Sequence, residues 1–370
     1  MRYTLVLFFL NIIFVTAAQN ANTEKGRQPK YYGKEDFLIE GTTFTDSVKE
    51  YPYDRLPASY KNKVRSSVWD LSKNSAGISI RFQTNSSSVS VKWDLLNDTQ
   101  MNHMAYTGIK GVDLYCMIDN QWQFVNTGRP EKKENESLLV SNMPVIMREY
   151  KLYFPVYEGV TKVEIGIDSL SEIIKPDKNN RKPIVFYGTS ITQGGCASRP
   201  GMVYTNIISR KLNVDCINFG FSGNGRMEKP LAELISGIDA SYYVIDGTGN
   251  MTAEEVHKNA RPLVEIIRSK RPTTPIVFVE GPVSETAYFD SKDMTDINDK
   301  NRTLKMEYEK MIKNGFQYIY YIDNKGMKGN DHESTVDGVH FTDLGFLRYA
   351  DFFLTKLKQF KLTDEISINR

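Results

Sequence analysis

The sequence predicts two structural units in series: an all-β sandwich over residues 19–170, then a three-layer α/β domain over residues 183–370 with a mainly parallel sheet. The first half alternates polar and apolar residues with period two. The second half carries short apolar runs separated by helical patterns, the rhythm of strand–helix–strand units. Between them, residues 171–182 form a polar break containing Pro176, Asp177, Lys178, Asn179, Asn180 and Arg181, which reads as the linker. A chain of 370 residues accommodates two domains of about 150 residues each. Its 40% apolar and 12% aromatic content supplies two cores.

Residues 1–18 stand apart. Arg2 is followed by an apolar run from Leu5 to Val15, interrupted by Asn11, and then by the small residues Thr16-Ala17-Ala18. That run is well short of the about 20 residues needed to cross a bilayer. The pattern is that of a secretory signal peptide. A buried N-terminal strand is disfavoured by the polar stretch Gln19 to Lys30. No cysteine lies near the cleavage site to carry a lipid, and no later segment is apolar for long enough to span a membrane. The mature protein is expected to be exported and soluble, in the periplasm or outside the cell.

In the first domain, Ile78–Phe82 and Val89–Trp93 alternate as half-buried strands do, around the turn residues Asn85 to Ser88. Val112–Met117, Trp122–Val125, Glu149–Phe154 and Thr161–Ile167 read as further strands. Their number and spacing argue for a sandwich but leave the strand order open. In the second domain, Ile184–Tyr187, Val214–Phe219, Tyr242–Ile245, Ile276–Val279 and Tyr318–Ile322 read as buried parallel strands. Helices are expected over Thr252–Ser269, Asn301–Asn314 and Asp343–Phe360.

The 47 basic and 45 acidic residues give a net charge of +2, or +1 once Arg2 leaves with the leader. This balance offers no electrostatic case for nucleic acid or anionic lipid as partner. Cys116, Cys196 and Cys216 are too scattered for a disulfide framework or a paired-cysteine zinc site, and no metal or cofactor motif is present. An odd count leaves at least one thiol free within a monomer.

Parallel sheets bind ligands at the carboxyl ends of their strands. The first three strands there run into Gly188-Thr189-Ser190-Ile191-Thr192-Gln193-Gly194-Gly195, Gly220-Phe221-Ser222-Gly223-Asn224-Gly225 and Asp246-Gly247-Thr248-Gly249-Asn250-Met251. Asp337-Gly338-Val339-His340 precedes the last helix. Four polar, glycine-bearing segments are thus expected at one edge of one sheet.

A nucleophilic serine needs a base, a group that orients the base, and donors for the oxyanion. Four histidines narrow the choice of base. His103 lies in the β domain, His257 sits among charged residues in a helix, and His332 lies in a loop. His340 comes three residues after Asp337, a spacing that lets the carboxylate fold back onto the imidazole. His340 is the expected base and His332 a distant second. Ser190 emerges from a buried strand at a helix start, where the backbone favours negative charge. Each residue has a plainer reading: Ser190 as a helix cap, Gly223 as a positive-φ turn glycine, Asn250 as a cap for the next helix, Asp337 as a turn residue. Their joint order along the strands outweighs these.

That order resembles the SGNH/GDSL hydrolases over residues 182–362. The resemblance implies a flavodoxin-like hydrolase domain, with Ser190 as nucleophile, Asp337 and His340 completing the triad, and an oxyanion hole formed by Ser190 N–H, Gly223 N–H and the Asn250 side chain. Thr189 stands where the family often has Asp, and Met251 comes after Asn250 where Asp is common, so Asn224 is a competing oxyanion side chain. A β domain ahead of the hydrolase resembles a two-domain bacterial branch that includes carbohydrate acetylesterases with a jelly-roll. This implies a secreted serine esterase acting on a small-molecule or polysaccharide ester, such as a sugar O-acetyl group, through an acyl-serine.

Other classes fit less well. Gly247-Thr248-Gly249 lacks the third glycine of a dinucleotide loop and lies after the third strand, not the first. Asp246 and Glu280 end strands and are the carboxylates a glycosidase would need. A lipase, lysophospholipase or thioesterase remains open, although no segment advertises a long acyl groove. So does a carbohydrate-binding protein with a vestigial site, for which Tyr51, Tyr53, Trp69, Trp93 and Trp122 would supply aromatics if they were not mostly core. Cys196 is expected either to line the pocket or to pack behind the turn. The oligomeric state is open.

Overall fold

The computed structural model describes residues 28–363. The expected signal peptide lies outside the described residues. The first domain consists of two antiparallel sheets. One contains β1 (Lys30–Tyr32), β4 (Val89–Leu95), β7 (Glu134–Val140) and β9 (Val160–Ile167), in the order β1-β9-β4-β7. The other contains β2 (Leu38–Glu40), β3 (Ser79–Thr84), β5 (Val112–Ile118), β6 (Gln121–Gly128), β8 (Arg148–Tyr153) and β10 (Ile173–Ile174). Its order is β10-β3-β8-β5-β6, with β2 also on β3. Along β4 the burial alternates strictly, placing Val89, Val91, Trp93 and Leu95 inside. These residues meet Ile80, Phe82, Leu114 and Tyr150 of the facing sheet to form the sandwich interior. Two short helices, α1 (Ser66–Ser72) and α2 (Tyr106–Ile109), interrupt the β domain where the sequence pattern predicted none. They are too short to show a helical period.

The second domain is the expected three-layer α/β unit. β11 (Ile184–Gly188), β12 (Cys216–Gly220), β13 (Tyr242–Asp246), β14 (Ile276–Val279) and β15 (Ile319–Ile322) pair in parallel in the order β12-β11-β13-β14-β15. This is the flavodoxin-like 2-1-3-4-5 arrangement, whose switch point lies between the first and third strands. Alternate strand residues face opposite layers. Phe186 and Val244 pack with α4 (Tyr204–Leu212) and α8 (Asp343–Gln359). Val185 and Ile245 pack with α5 (Lys229–Ser236), α6 (Ala253–Lys270) and α7 (Ser291–Lys313).

Local chemistry sets the helix starts. Thr252 caps α6 in a reciprocal capping box with Glu255. α7 begins at Ser291 rather than Asn301, because Asp290 caps it and its first turns are polar. Both apolar clusters of the parallel sheet also contain residues from the first domain. Ala76, Met104, Ile109, Val156 and Tyr157 join one face, and Leu56, Val68 and Trp69 join the other.

Candidate active site

Ser190 opens α3 (Ser190–Gln193), a single turn immediately beyond the end of β11. The N-cap is Thr189, whose hydroxyl accepts from Ile191 N–H at 3.3 Å, so the capping role considered for Ser190 belongs to its neighbour. Ser190 Oγ lies 2.8 Å from His340 Nε2. The other ring nitrogen, His340 Nδ1, lies 2.7 Å from Asp337 Oδ2. The remaining carboxylate oxygen, Oδ1, accepts from the backbone N–H of His340 at 2.8 Å and of Val339 at 3.0 Å. The Asp-x-x-His spacing thus closes a tight turn that locks the carboxylate onto the ring. Burial would raise the Asp337 carboxyl, but the His340 ring and the two N–H donors outweigh it and hold the group below its ordinary value. Asp337 is therefore ionised at neutral pH and fixes the imidazole with its proton on Nδ1 and its lone pair toward Ser190.

Gly195 shapes the space for the ring. A Cβ built there would sit 2.9 Å from His340 Cδ2, 3.1 Å from the Tyr157 hydroxyl and 3.2 Å from the Ser190 carbonyl oxygen. Gly223 lies in the turn after β12 with φ +67, and a Cβ there would meet nothing within 4 Å. Asn250 ends a 3-10 turn after β13. With its amide oriented to satisfy its neighbours, the Asn250 oxygen accepts from Gly223 N–H and Asn224 N–H, each at 3.2 Å. Asn224 is committed elsewhere. Its amide oxygen accepts from Arg65 Nη1 at 2.6 Å and Ser67 Oγ at 2.9 Å, and its NH2 donates to the Ser222 carbonyl at 2.8 Å.

A cavity of about 180 Å³ opens beside Ser190, with Thr248, Asn250, Pro282, Ile297 and Val339 in its wall. Its floor reaches Asp246, whose Oδ2 accepts from Tyr204 OH and Tyr349 OH at 3.0 Å each and from Thr192 Oγ1 at 3.3 Å. Burial pushes this carboxyl up to about 7, against the hydroxyl donors. Asp246 is thus tied into the core. Glu280, the other carboxylate considered for a glycosidase, accepts from Tyr321 OH and from Asn324 N–H at 3.0 Å. His332 is drawn away to Glu285 at 2.8 Å, and His257 is a largely exposed ring bonded to Glu307.

Contributions from the first domain were not visible in the sequence. Gln193 donates to Asn74 Oδ1 at 3.1 Å and to the Val156 carbonyl at 3.0 Å, while its oxygen accepts from Ser222 N–H at 3.0 Å. Arg65 grips the turn after β12 through the Asn224 carbonyl and Glu228. Arg55, fully buried, donates to the carbonyls of Asn218 (3.1 Å) and Gly220 (2.6 Å) at the end of β12. The segment Gly111-Val112-Asp113-Leu114-Tyr115 holds the loop beyond the serine. Asp113 accepts from Arg199 Nη1 and Gly201 N–H, both at 2.8 Å, and Tyr115 OH accepts from Arg199 at 2.7 Å. Gly108 approaches that loop so closely that a Cβ there would lie 2.1 Å from the Ala197 carbonyl oxygen. His103, from the same domain, places its ring centroid 6.0 Å from that of His340.

Comparison with known proteins agrees with the two-domain fold. The model of the GDSL-like lipase/acylhydrolase family matches residues 181–358, and that of the N-terminus of SGNH-hydrolase-type esterases matches residues 30–173. No curated protein matches the chain. Among solved structures, a Bacteroides ovatus protein described as GDSL-like lipase is 34% identical with a TM-score of 0.86, over 90% of this chain and 97% of that one. Two more distant structures show the fold alone. A salicylyl-acyltransferase from a tetracycline biosynthetic pathway is 16% identical with a TM-score of 0.75, covering 90% of this chain and 98% of its own. A family two carbohydrate esterase from Clostridium thermocellum is 14% identical with a TM-score of 0.53, covering 78% and 94%. With its paired domains, its strand order and a one-third-identical relative spanning nearly its whole length, the chain belongs to the SGNH/GDSL hydrolase family.

Proposed function

We propose that this protein is a serine esterase that removes a short acyl group, with the O-acetyl group of a carbohydrate as its substrate. The observation that carries this reading is the continuous relay from Ser190 through His340 to Asp337, set beside a small cavity. His340 Nε2 takes the Ser190 proton as the oxygen attacks the ester carbonyl, and Asp337 stabilises the resulting imidazolium. The oxyanion is received by Ser190 N–H and the Asn250 NH2; Gly223 N–H, the further donor expected from the sequence, is taken up by the Asn250 oxygen and turns that amide's NH2 toward the nucleophile. The imidazolium then protonates the leaving alcohol, and the same histidine activates the water that hydrolyses the acyl-serine.

Size favours a short acyl group. At about 180 Å³ the cavity falls below the about 300–1,000 Å³ typical of sites for larger ligands. A carbohydrate leaving group is supported by the architecture shared with the family two carbohydrate esterase and with an acetyl xylan esterase from Butyrivibrio proteoclasticus. Export through residues 1–18 would bring the protein to such polymers. We expect the purified protein to hydrolyse p-nitrophenyl acetate and to release acetate from acetylated xylan, with turnover falling steeply toward long-chain esters. Ser190→Ala should abolish both activities. Faster turnover of long-chain esters would overturn the short-acyl reading, and an active Ser190→Ala would overturn the site.

A further inference from the structure

We propose that the relay carries a built-in inhibitory site for a borderline transition-metal cation of the zinc type, formed by His103, Cys196, Asp337 and His340. One donor atom from each of these four residues lies within 4.8 Å of every other. They converge from three distant parts of the chain: a loop of the β domain, the loop beyond the serine, and the turn before α8. Cys196 is held in a left-handed backbone conformation with φ 68, and its Sγ lies 3.5 Å from the His103 carbonyl. The His103 ring faces that of His340 at 6.0 Å between centroids. The esterase mechanism assigns neither His103 nor Cys196 a task.

Two imidazoles, a thiolate and a carboxylate match the preference of Zn²⁺ for four mixed N, S and O ligands, and they suit Mg²⁺ or Ca²⁺ poorly. A tetrahedral zinc ion with bonds of about 2.0–2.3 Å spaces its ligand atoms about 3.3–3.8 Å apart. The cluster therefore needs a contraction of about 1 Å, within reach of side-chain rotation. Coordination would displace the thiol proton of Cys196 to solvent, with no change of oxidation state. Whichever nitrogen of His340 the cation takes, the relay is broken. On Nε2 it occupies the lone pair that receives the Ser190 proton, and on Nδ1 it replaces the hydrogen bond to Asp337.

The inhibition rests on the esterase reading, whereas the coordination does not, and the two are tested separately. The full-length protein is titrated with Co²⁺, whose thiolate charge-transfer absorption reports Cys196 coordination whether or not the protein is an esterase. Hydrolysis of p-nitrophenyl acetate is measured in parallel with Zn²⁺. The expected result is a Co²⁺–thiolate band that Cys196→Ser abolishes and Zn²⁺ suppresses by displacement. Zn²⁺ should inhibit reversibly, with activity restored by EDTA and no effect of Mg²⁺. His103→Gln and Cys196→Ser should keep basal turnover while needing about tenfold or more Zn²⁺ for half-inhibition. Absence of the band, or equal Zn²⁺ sensitivity of wild type and both variants, would overturn the proposal. A band in a protein without esterase activity would support the site and refute only the enzymatic reading.

Discussion

At the scale of single residues, the site depends on atoms that are absent as much as on those present. Gly195 has no side chain because the His340 ring occupies that volume. In Gly195→Ala, the new methyl would press on His340 Cδ2 from 2.9 Å and displace the ring from Ser190. A misplacement of about 1 Å can cost about 10² in rate. The variant should lose about one to two orders of magnitude in kcat on p-nitrophenyl acetate while keeping its circular dichroism spectrum. Asp246 makes a different argument, through pH. Its carboxyl is raised to about 7 in the folded protein, chiefly by burial, against about 3.9 in an unfolded chain. Between those values the folded state holds a proton that the unfolded state has lost, so folding stability falls as pH rises from about 4 to about 7. Asp246→Asn should flatten that slope in melting temperature measured against pH. The flattening should be partial, because Asp215, half-buried immediately before β12, is likewise raised to about 7.

At the scale of elements, the turn after β12 shows how a loop gains a fixed shape. Gly223 and Asn224 lie where no helix or sheet ladder supports them, and Arg65 supplies support alongside Ser67 and the Asn250 oxygen. Its guanidinium donates to both oxygens of Asn224, side chain and backbone, and to Glu228 at the head of α5. Arg65→Ala should therefore loosen the turn and lower kcat about tenfold with a small effect on KM, because the loss falls on transition-state stabilisation. Arg65→Lys should recover little, since an ammonium cannot reproduce the planar fork. Steady-state kinetics of the two variants decide this. The main elements of the catalytic half were legible because buried parallel strands are continuous apolar runs, and Ile184–Gly188 and Tyr242–Asp246 read as such. The meeting of Ser190, Asp337 and His340 was legible because strand ends and a three-residue turn are local features. Arg65 and Gln193 were not, because their partners lie far away in sequence and an isolated polar residue carries no periodic signal. The start of α7 was missed for a related reason: a polar first turn resembles a loop until its Asp290 cap is seen.

At the scale of the whole molecule, the polar break at 171–182 suggests separable domains, whereas packing joins them. Ile173 and Ile174 within that break form an edge strand on β3. Leu56, Val68 and Trp69 complete one apolar face of the catalytic sheet, and Ala76, Val156 and Tyr157 complete the other. Arg55 fastens the two halves. Its guanidinium donates to carbonyls of Leu71 and Asn74 on one side and of Asn218 and Gly220 on the other, and it lies 4.8 Å from the Phe221 ring centroid. Hydrogen bonds from a charged donor to buried carbonyls contribute about 1.5–3 kcal/mol each, and acceptors stripped of their donor pay a desolvation penalty. This geometry has two consequences for assembly. Calorimetry of residues 19–370 should show one cooperative unfolding transition rather than two, because neither half closes its core alone. Arg55→Met, which keeps much of the apolar stem but removes every donor, should destabilise that single transition by about 3 kcal/mol or more and leave it unsplit. Two resolved transitions in the wild-type protein, or an Arg55→Met variant that melts at the wild-type temperature, would mean that the β domain is an appendage. In that case residues 183–370 alone should fold and hydrolyse ester, which the shared core argues against.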